Sequence, residues 1–198
     1  MMEYSASAMK YSFWFVETRE TARMLIDHSP EEVRGIVIEE NVYQQRDRSR
    51  TINEFGCIIR RLESIPEKLK ALLLKTDVST AKLIVLISAM ASDRLFFEFM
   101  HDVYRRKLHL GEEDFKDADW NIFIKDKRDQ NDLVAGWTEG TIKRIKSSYI
   151  RYLVDAGLIQ KEGSRQKRIT RPYIDSELRQ ILLQESMASY LHALTGEQ

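Results

Sequence analysis

The chain has 198 residues, of which 43% are hydrophobic and 31% are charged. This balance is typical of a folded globular protein and excludes an intrinsically disordered one. Its 31 basic and 31 acidic side chains give no net charge, so only a local cluster of one sign can attract a polyanion.

The cysteine and hydropathy patterns predict a cytoplasmic protein with no membrane partner. Cys57 is the single cysteine, which excludes a disulfide framework and fits a reducing compartment. Residues 1–10 lack the apolar core of a signal peptide. The most apolar run, residues 83–91, is much shorter than the roughly 20 residues that a membrane-spanning helix needs.

Residues 1–111 are predicted to form an N-terminal helical bundle of about six helices. Ser29, Pro30 and Glu32 supply the cap, the first-turn proline and the reciprocal glutamate of a helix start. The charged stretch of residues 44–50 predicts a loop. Residues 79–91 are apolar nearly all round, which predicts a central buried helix.

Residues 112–198 are predicted to form a winged-helix-like basic domain with a C-terminal helix. An acidic stretch leads into a helix that carries Trp120, and a short helical turn lies around Leu133. A long helix then runs from Thr138 to Ala156, followed by a short β-hairpin with a turn containing Gly163. One final helix covers residues 175–194. The predicted fold class is therefore all-α, mostly helical, apart from that hairpin.

The basic segment, residues 141–171, carries nine basic side chains opposed only by Asp155 and Glu162. A helix with a cationic outer face fits the major groove of DNA, and a basic hairpin beside it can reach phosphates. The candidate nucleic-acid-binding residues are Lys143, Arg144, Lys146, Ser147, Arg151, Lys161, Arg165, Lys167, Arg168 and Arg171. The apolar residues expected to turn inward on the long helix are Ile142, Ile145, Tyr149, Tyr152, Leu153 and Ala156.

Other interpretations of the basic groups stay open. A basic helix face is often only solvated surface, because lysine and arginine stems also cover the edges of a core. The region from Arg46 to Arg61 is a weaker candidate for a second DNA contact, and the arginines of residues 46–50 fall in the predicted loop. The cations at residues 105–107 lie at a helix C-terminus, where positive charge stabilises the helix dipole.

The sequence predicts no enzyme, no cofactor and no metal site. It has no phosphate-binding glycine loop and no nucleophile elbow, and its four histidines are scattered without metal-ligand spacing. Cys57 lies on a predicted amphipathic helix beside core positions, which is typical of a buried structural thiol. No catalytic residue and no small-molecule substrate are therefore expected.

Several short sequence patterns along the chain form a group of their own. They are YSFWF at residues 11–15, EVR at 32–34, RRL at 60–62, DWNIF at 119–123 and AGLI at 156–159. Together they extend over about residues 11–182, and they resemble a family of bacterial phage-defence proteins, the BREX system protein A (BrxA) family, catalogued as the DUF1819 domain. Residues 131–133 read Asn-Asp-Leu, where the family tends to carry His-Glu-Leu.

The resemblance implies a small, all-helical, non-enzymatic component encoded beside a methyltransferase, an ATPase and an alkaline-phosphatase-like protein. It also implies double-stranded DNA binding and a partial similarity to the helical transcription antitermination factor Nus B. Because this chain departs from the family pattern at residues 131–133, the helix boundaries of the family are less certain to apply here. The implied function is affected less.

The sequence therefore predicts a non-enzymatic double-stranded DNA-binding component of a bacterial antiphage defence system, with other defence proteins as further candidate partners. Two alternatives stay open. One is an RNA-binding module of the antitermination type. The other is a protein–protein adaptor whose basic face docks an acidic partner within the defence complex.

Overall fold

The computed structural model describes residues 3–162 and 166–197, and these residues are mostly α-helical, as the sequence predicts. The helices are α1 (Phe15–Met24), α2 (Pro30–Glu39), α3 (Arg48–Glu63), α4 (Glu67–Lys75), α5 (Val78–Ser92), α6 (Arg94–Phe99), α7 (Arg105–Leu110), α8 (Asp117–Gln130), α9 (Asp132–Ala135), α10 (Glu139–Asp155), α11 (Ser176–Gln184) and α12 (Ala188–Thr195). The strands are β1 (Ile159–Glu162) and β2 (Gln166–Ile169). A 3-10 turn, Ser7–Lys10, precedes α1, and a π-helical turn, Met100–Tyr104, joins α6 to α7. Within the two described ranges, every helix is too short or too polar to span a lipid bilayer.

Local capping interactions begin the helices where the sequence predicts them. The Ser29 backbone N–H donates to the Glu32 carboxylate at 2.8 Å, and the Ser29 hydroxyl accepts from the Glu32 backbone N–H at 3.4 Å. This capping box begins α2. Asp93 begins α6 by accepting from the Phe96 backbone N–H at 3.1 Å. The central helix α5 is buried along nearly its whole length, which confirms that prediction.

The loop predicted over residues 44–50 is wrong in its second half. The Asp47 carboxylate accepts a hydrogen bond from the Ser49 backbone N–H at 2.6 Å and begins α3 at Arg48. Arg48 and Arg50 therefore lie in the first turn of α3, and Arg46 lies just before its cap. An aspartate in the cap position stabilises the helix start by about 1 kcal/mol, which explains why the charged residues after it are helical.

The single C-terminal helix predicted over residues 175–194 is also wrong. α11 and α12 are separated by a turn in which Ser186 has a φ of +58°. α11 buries Leu178 and Leu182 and packs against α4, whereas α12 packs against the π-helical turn and α7. One straight helix cannot bury its apolar residues against partners in these two directions, so the chain turns between them.

Aromatic side chains from both predicted parts of the chain share one core. The ring centroid of Phe99, on α6, lies 5.5 Å from that of Trp120, on α8, and 5.8 Å from that of Tyr149, on α10. The connected cluster of buried apolar residues extends from Tyr4 to Leu194. Helices on both sides of residue 111 therefore hold α10 in place, and the division into two domains at that residue stays a prediction.

The hairpin is tied to the start of α8. β1 and β2 pair antiparallel, with Lys161 opposite Lys167. The segment just before α8 lies along the other edge of β2, where the Ile169 backbone N–H donates to the Glu113 carbonyl at 2.6 Å and the Phe115 backbone N–H donates to the Lys167 carbonyl at 2.8 Å. The predicted turn around Gly163 lies outside the described residues.

Candidate nucleic-acid interface

Helix α10 carries half of the candidate residues, and its buried face determines the direction in which they point. The Thr138 hydroxyl caps the helix by accepting from the Thr141 backbone N–H at 3.2 Å. Gly157 follows the helix with a φ of +79°, a left-handed conformation that favours glycine. The residues predicted to turn inward are all buried, namely Ile142, Ile145, Tyr149, Tyr152, Leu153 and Ala156.

Hydroxyl groups on this buried face anchor α10 to the N-terminal helices. The Tyr149 hydroxyl donates to the Asp93 carboxylate at 3.0 Å. The Tyr152 hydroxyl accepts from the Arg61 guanidinium at 2.9 Å and donates to the Tyr11 carbonyl at 3.2 Å. Burial raises the pKa of both tyrosines, and it raises the pKa of Asp93 to about 6. The tyrosines therefore stay neutral donors at physiological pH, and the orientation of α10 is fixed.

The opposite face of α10 presents four exposed side chains, Lys143, Arg144, Ser147 and Arg151, which we call the α10 stripe. Their spacing of three and four residues places them on one side of the helix. At 1.5 Å per residue, the stripe extends over about 12 Å. The Ser147 hydroxyl donates to the Lys143 carbonyl at 2.9 Å. Within the described ranges, the three cations of the stripe form no ion pair.

One carboxylate joins α10 to the hairpin. The Asp117 Oδ1 atom lies 3.0 Å from Lys146 Nζ, on α10, and 3.2 Å from Lys167 Nζ, on β2. These two hydrogen-bonded lysines lower the pKa of Asp117, so this carboxylate is ionised at neutral pH. The Asp117 bridge, as we call these three residues, brings the margin of α10 and one face of the hairpin to a single point.

Strand alternation divides the hairpin cations between two faces. Lys167 shares a face with the buried Ile169, and Lys161 lies opposite it on β1. The Asp117 bridge shows that this face points towards α10. Arg168 points to the other face, where its guanidinium lies 2.9 Å from the Glu113 carboxylate. Lys161 and Lys167 therefore adjoin α10, and Arg168 does not.

Two further candidates lie away from the stripe or outside the described residues. The Arg171 guanidinium donates to the Leu108 carbonyl at 3.1 Å, at the C-terminal end of α7. This contact adds a charged donor to a helix-end carbonyl that also accepts from the Gly111 backbone N–H at 3.3 Å. Arg165 lies outside the described residues. Arg168 and Arg171 therefore lie apart from the α10 stripe, and their role in nucleic-acid binding stays a prediction.

Sequence reasoning missed one cation near the far end of the stripe, Lys82 on α5. Burial raises the pKa of Asp155, whereas the nearby charges of Arg151, Lys82 and Lys161 lower it. Three cations thus surround one carboxylate. Lys82 is the single charged residue in the apolar run of residues 79–91. A lone cation in such a run marks the edge where a buried helix reaches the surface, and this signal could have identified it.

The weaker basic clusters contain structural cations. Arg61, with 3% of its surface exposed, donates to the Ser12 carbonyl at 3.1 Å, so the second DNA contact predicted for this region is wrong at Arg61. Lys107, with 5% exposed, lies 2.6 Å from Glu112 and 3.0 Å from Asp119. Both side chains are engaged inside the fold, where no polyanion can reach them.

The remaining titratable groups show no arranged reactive centre among the described residues. Cys57 is buried, and burial raises the pKa of its thiol, which confirms the predicted buried thiol. Within residues 3–162 and 166–197, no three His, Cys, Asp or Glu side chains are grouped so that they could hold a metal ion.

The whole chain matches one protein family. A family model described as BrxA matches residues 2–186. The chain belongs to the BrxA family. It is 32% identical over 196 residues to a BREX protein BrxA of Bacillus cereus strain H3081.97, which covers 98% of this chain and 97% of that relative. A BREX protein BrxA of Paramagnetospirillum magneticum strain AMB-1 is 24% identical over 157 residues, 79% of each chain.

A solved structure shares the fold. The crystal structure of a protein from Magnetospirillum magneticum superposes with a TM-score of 0.82 and 22% sequence identity, covering 99% of this chain and 100% of that one. The likeness in fold therefore extends over nearly the whole length of both chains. At the level of the family, this chain is a BREX phage-defence protein.

Proposed function

We propose that this BrxA-family chain binds double-stranded DNA through the α10 stripe and the adjoining face of the hairpin. The observation that carries the proposal is the Asp117 bridge, which fixes Lys146 and Lys167 beside the exposed stripe. A helix and a hairpin held together in this way form one cationic surface without any movement of the backbone.

The order of elements supports a winged-helix mode of binding. α8, the short α9, the long α10 and the β1–β2 hairpin follow one another along the chain. In helix-turn-helix proteins the second long helix lies in the major groove. The groove is about 12 Å wide, and the α10 stripe extends over about the same length. Lys161 and Lys167 then lie where a wing reaches the flanking phosphates.

The number of cations without an ion pair predicts how many phosphates the surface can contact. The cations near this surface that form no ion pair within the described ranges are Lys82, Lys143, Arg144, Arg151 and Lys161. Neutralisation of four or five phosphates corresponds to a slope of about −4 for log affinity against log salt. Lys146 and Lys167 add to this slope only if a phosphate displaces Asp117 from them.

The proposal includes no catalytic step, no cofactor and no small-molecule substrate. The protein acts in the cytoplasm as a binding component, and other defence proteins are its proposed further partners. An RNA-binding role and an adaptor role would use the same cationic surface, so the experiment below includes both as outcomes.

Fluorescence anisotropy with a labelled duplex of about 25 base pairs tests the proposal, at two salt concentrations and with labelled single-stranded RNA in parallel. A double variant, Lys143→Glu with Arg144→Glu, should lose at least about tenfold in duplex affinity, because each reversal turns an attractive phosphate contact into a repulsive one.

A matched control removes the same charge elsewhere. Arg34 on α2 and Lys68 on α4 are exposed cations, and Arg34→Glu with Lys68→Glu should leave duplex affinity within about twofold, since charges beyond a Debye length are screened. Equal losses of duplex affinity in the two double variants would show that only the net charge of the protein matters, and would refute the proposed site. Preference for RNA, or no binding to either polymer, would favour the RNA-binding module or the adaptor instead.

A further inference from the structure

A polar pocket of about 470 Å³ lies between the segment before α1 and the start of α3. It is separate in sequence from the basic segment, and nothing in the proposed DNA contact uses it. Its wall brings together two aromatic rings, two cations and a buried carboxyl, a combination of chemistries that few surface grooves contain. The volume lies within the range of ligand-binding clefts, about 300–1,000 Å³.

The aromatic wall is formed by Tyr11 and Trp14. Both rings are half-buried, and their centroids lie 5.8 Å apart. Trp14 has a φ of +50° and a ψ of +51°, a left-handed conformation that is strained for a bulky residue. Such local strain recurs at ligand clamps, where the fold holds a side chain in a working position. Here it presents a large flat ring to the pocket.

The cationic wall is formed by Lys10 and Arg50, which are both exposed. Within the described ranges neither forms an ion pair. The charge of Arg50 also acts on the carboxylate of Asp47, the cap of α3. Two cations beside these two tilted aromatic rings suit a ligand that carries an anionic group next to a planar one.

The floor contains a carboxyl whose hydrogen bonding is incomplete. Glu54 is only 3% exposed; its Oε2 accepts from Gln45 Nε2 at 3.0 Å, and its Oε1 has no partner among the described residues. Burial raises the pKa of Glu54 to about 7, and the charge of Glu17 adds to the rise. Because Glu54 lines the pocket, a ligand N–H group can donate a further hydrogen bond to this carboxyl.

We propose that this pocket binds one nucleotide, with its base against Tyr11 and Trp14, its phosphate on Lys10 and Arg50, and its base edge towards Glu54. Planar bases stack on aromatic side chains, and their edges present the N–H donors that a glutamate accepts. The same chemistry is available from a free nucleotide or from an unpaired nucleotide of a strand.

Isothermal titration calorimetry on the full chain tests this proposal, with nucleoside monophosphates of each base and with short single-stranded trinucleotides. Arg50→Ala should weaken binding at least about tenfold through loss of a charge-assisted phosphate contact. Arg48→Ala is the matched control, because Arg48 is an exposed arginine in the same helical turn that does not line the pocket. It should change affinity by less than about twofold.

Glu54→Gln provides a second measurement, whose expected result cannot arise from a general loss of folding. The amide both donates and accepts, so this variant should change the order of preference among the four bases. Binding of monophosphates would identify a free nucleotide as ligand, and binding of trinucleotides alone would identify a strand. No heat from either ligand at millimolar concentration, or equal effects of the two arginine variants, would overturn the proposal.

The nucleotide-binding proposal and the DNA-binding proposal can be refuted independently of each other. Arg50→Ala should leave duplex affinity unchanged, and the Lys143→Glu, Arg144→Glu double variant should leave nucleotide binding unchanged. Circular dichroism of each variant establishes that the fold is intact. A nucleotide-binding loss in the double variant would contradict the assignment of the pocket to Tyr11, Trp14 and Arg50.

Discussion

Replacement of Asp117 by asparagine tests whether the Asp117 bridge limits the affinity for DNA. The carboxylate is 68% exposed and lies 3.0 Å from Lys146 and 3.2 Å from Lys167. A phosphate that approaches either lysine must displace it. Asp117→Asn keeps the size of the side chain and removes its charge, so both lysines become available.

The magnitude follows from the strength of exposed ion pairs. Each such pair is worth about 0.5 kcal/mol, so release of both lysines amounts to about 1 kcal/mol, which is about fivefold in affinity. If both lysines then contact phosphates, the slope of log affinity against log salt becomes steeper by about 1.8. The free energy of unfolding should fall by no more than about 1 kcal/mol.

The assay is anisotropy of a labelled duplex over a series of salt concentrations. Asp129→Asn is the control, because Asp129 is an exposed aspartate on the same helix and its substitution changes the net charge equally. Unchanged or weaker duplex binding by Asp117→Asn, relative to this control, would refute the reasoning and would indicate that the carboxylate positions the hairpin.

Other substitutions address stability. Arg61→Ala should lower the free energy of unfolding by about 3 kcal/mol, because it leaves buried carbonyls and the Tyr152 hydroxyl without their charged donor; urea denaturation checks this, and a loss below about 1 kcal/mol would contradict it. Burial raises the pKa of Glu54 to about 7 from 4.5, so the folded protein binds more protons than the unfolded chain in this window and its stability falls as pH rises through it. In Glu54→Gln, the free energy of unfolding should fall less between about pH 5 and about pH 8 than in the original protein, as urea denaturation at the two pH values measures. An equal fall in both proteins would show that a group other than Glu54 causes it. Ser186→Gly should raise the free energy of unfolding by about 0.5 kcal/mol, because glycine adopts a positive φ without strain; a lower melting temperature would count against this.

Local signals in the sequence were sufficient at several helix starts, where a few neighbouring residues determine the structure. The capping residues Ser29, Asp93 and Thr138 each begin a helix in the structure. The 3.6-residue periodicity of α10 also correctly separates its buried face from its exposed one. In these cases the relevant hydrogen bonds and contacts join residues within one or two helical turns.

Contacts between distant residues were not predictable in this way. The Asp117 bridge joins residues 29 and 50 positions apart, and a periodicity argument contains no information about such a pairing. Arg61 looks solvated because it lies beside other charges in the sequence, yet backbone carbonyls near residue 12 and the Tyr152 hydroxyl bury it. Alternation along β2 was predictable, but which face meets α10 depends on the tertiary fold.

The shared aromatic core limits how the part of this protein that carries the proposed DNA surface can be used. Phe99, Trp120 and Tyr149 come from helices on both sides of residue 111. Each large aromatic buries about 150–250 Å², or about 4–6 kcal/mol of transfer free energy. A fragment that starts at residue 112 would lack Phe99 and would leave Trp120 and Tyr149 without that packing partner, exposed to water. The hairpin and α10 therefore depend on the helices that precede residue 112. Variants of the proposed DNA surface have to be made in the intact chain.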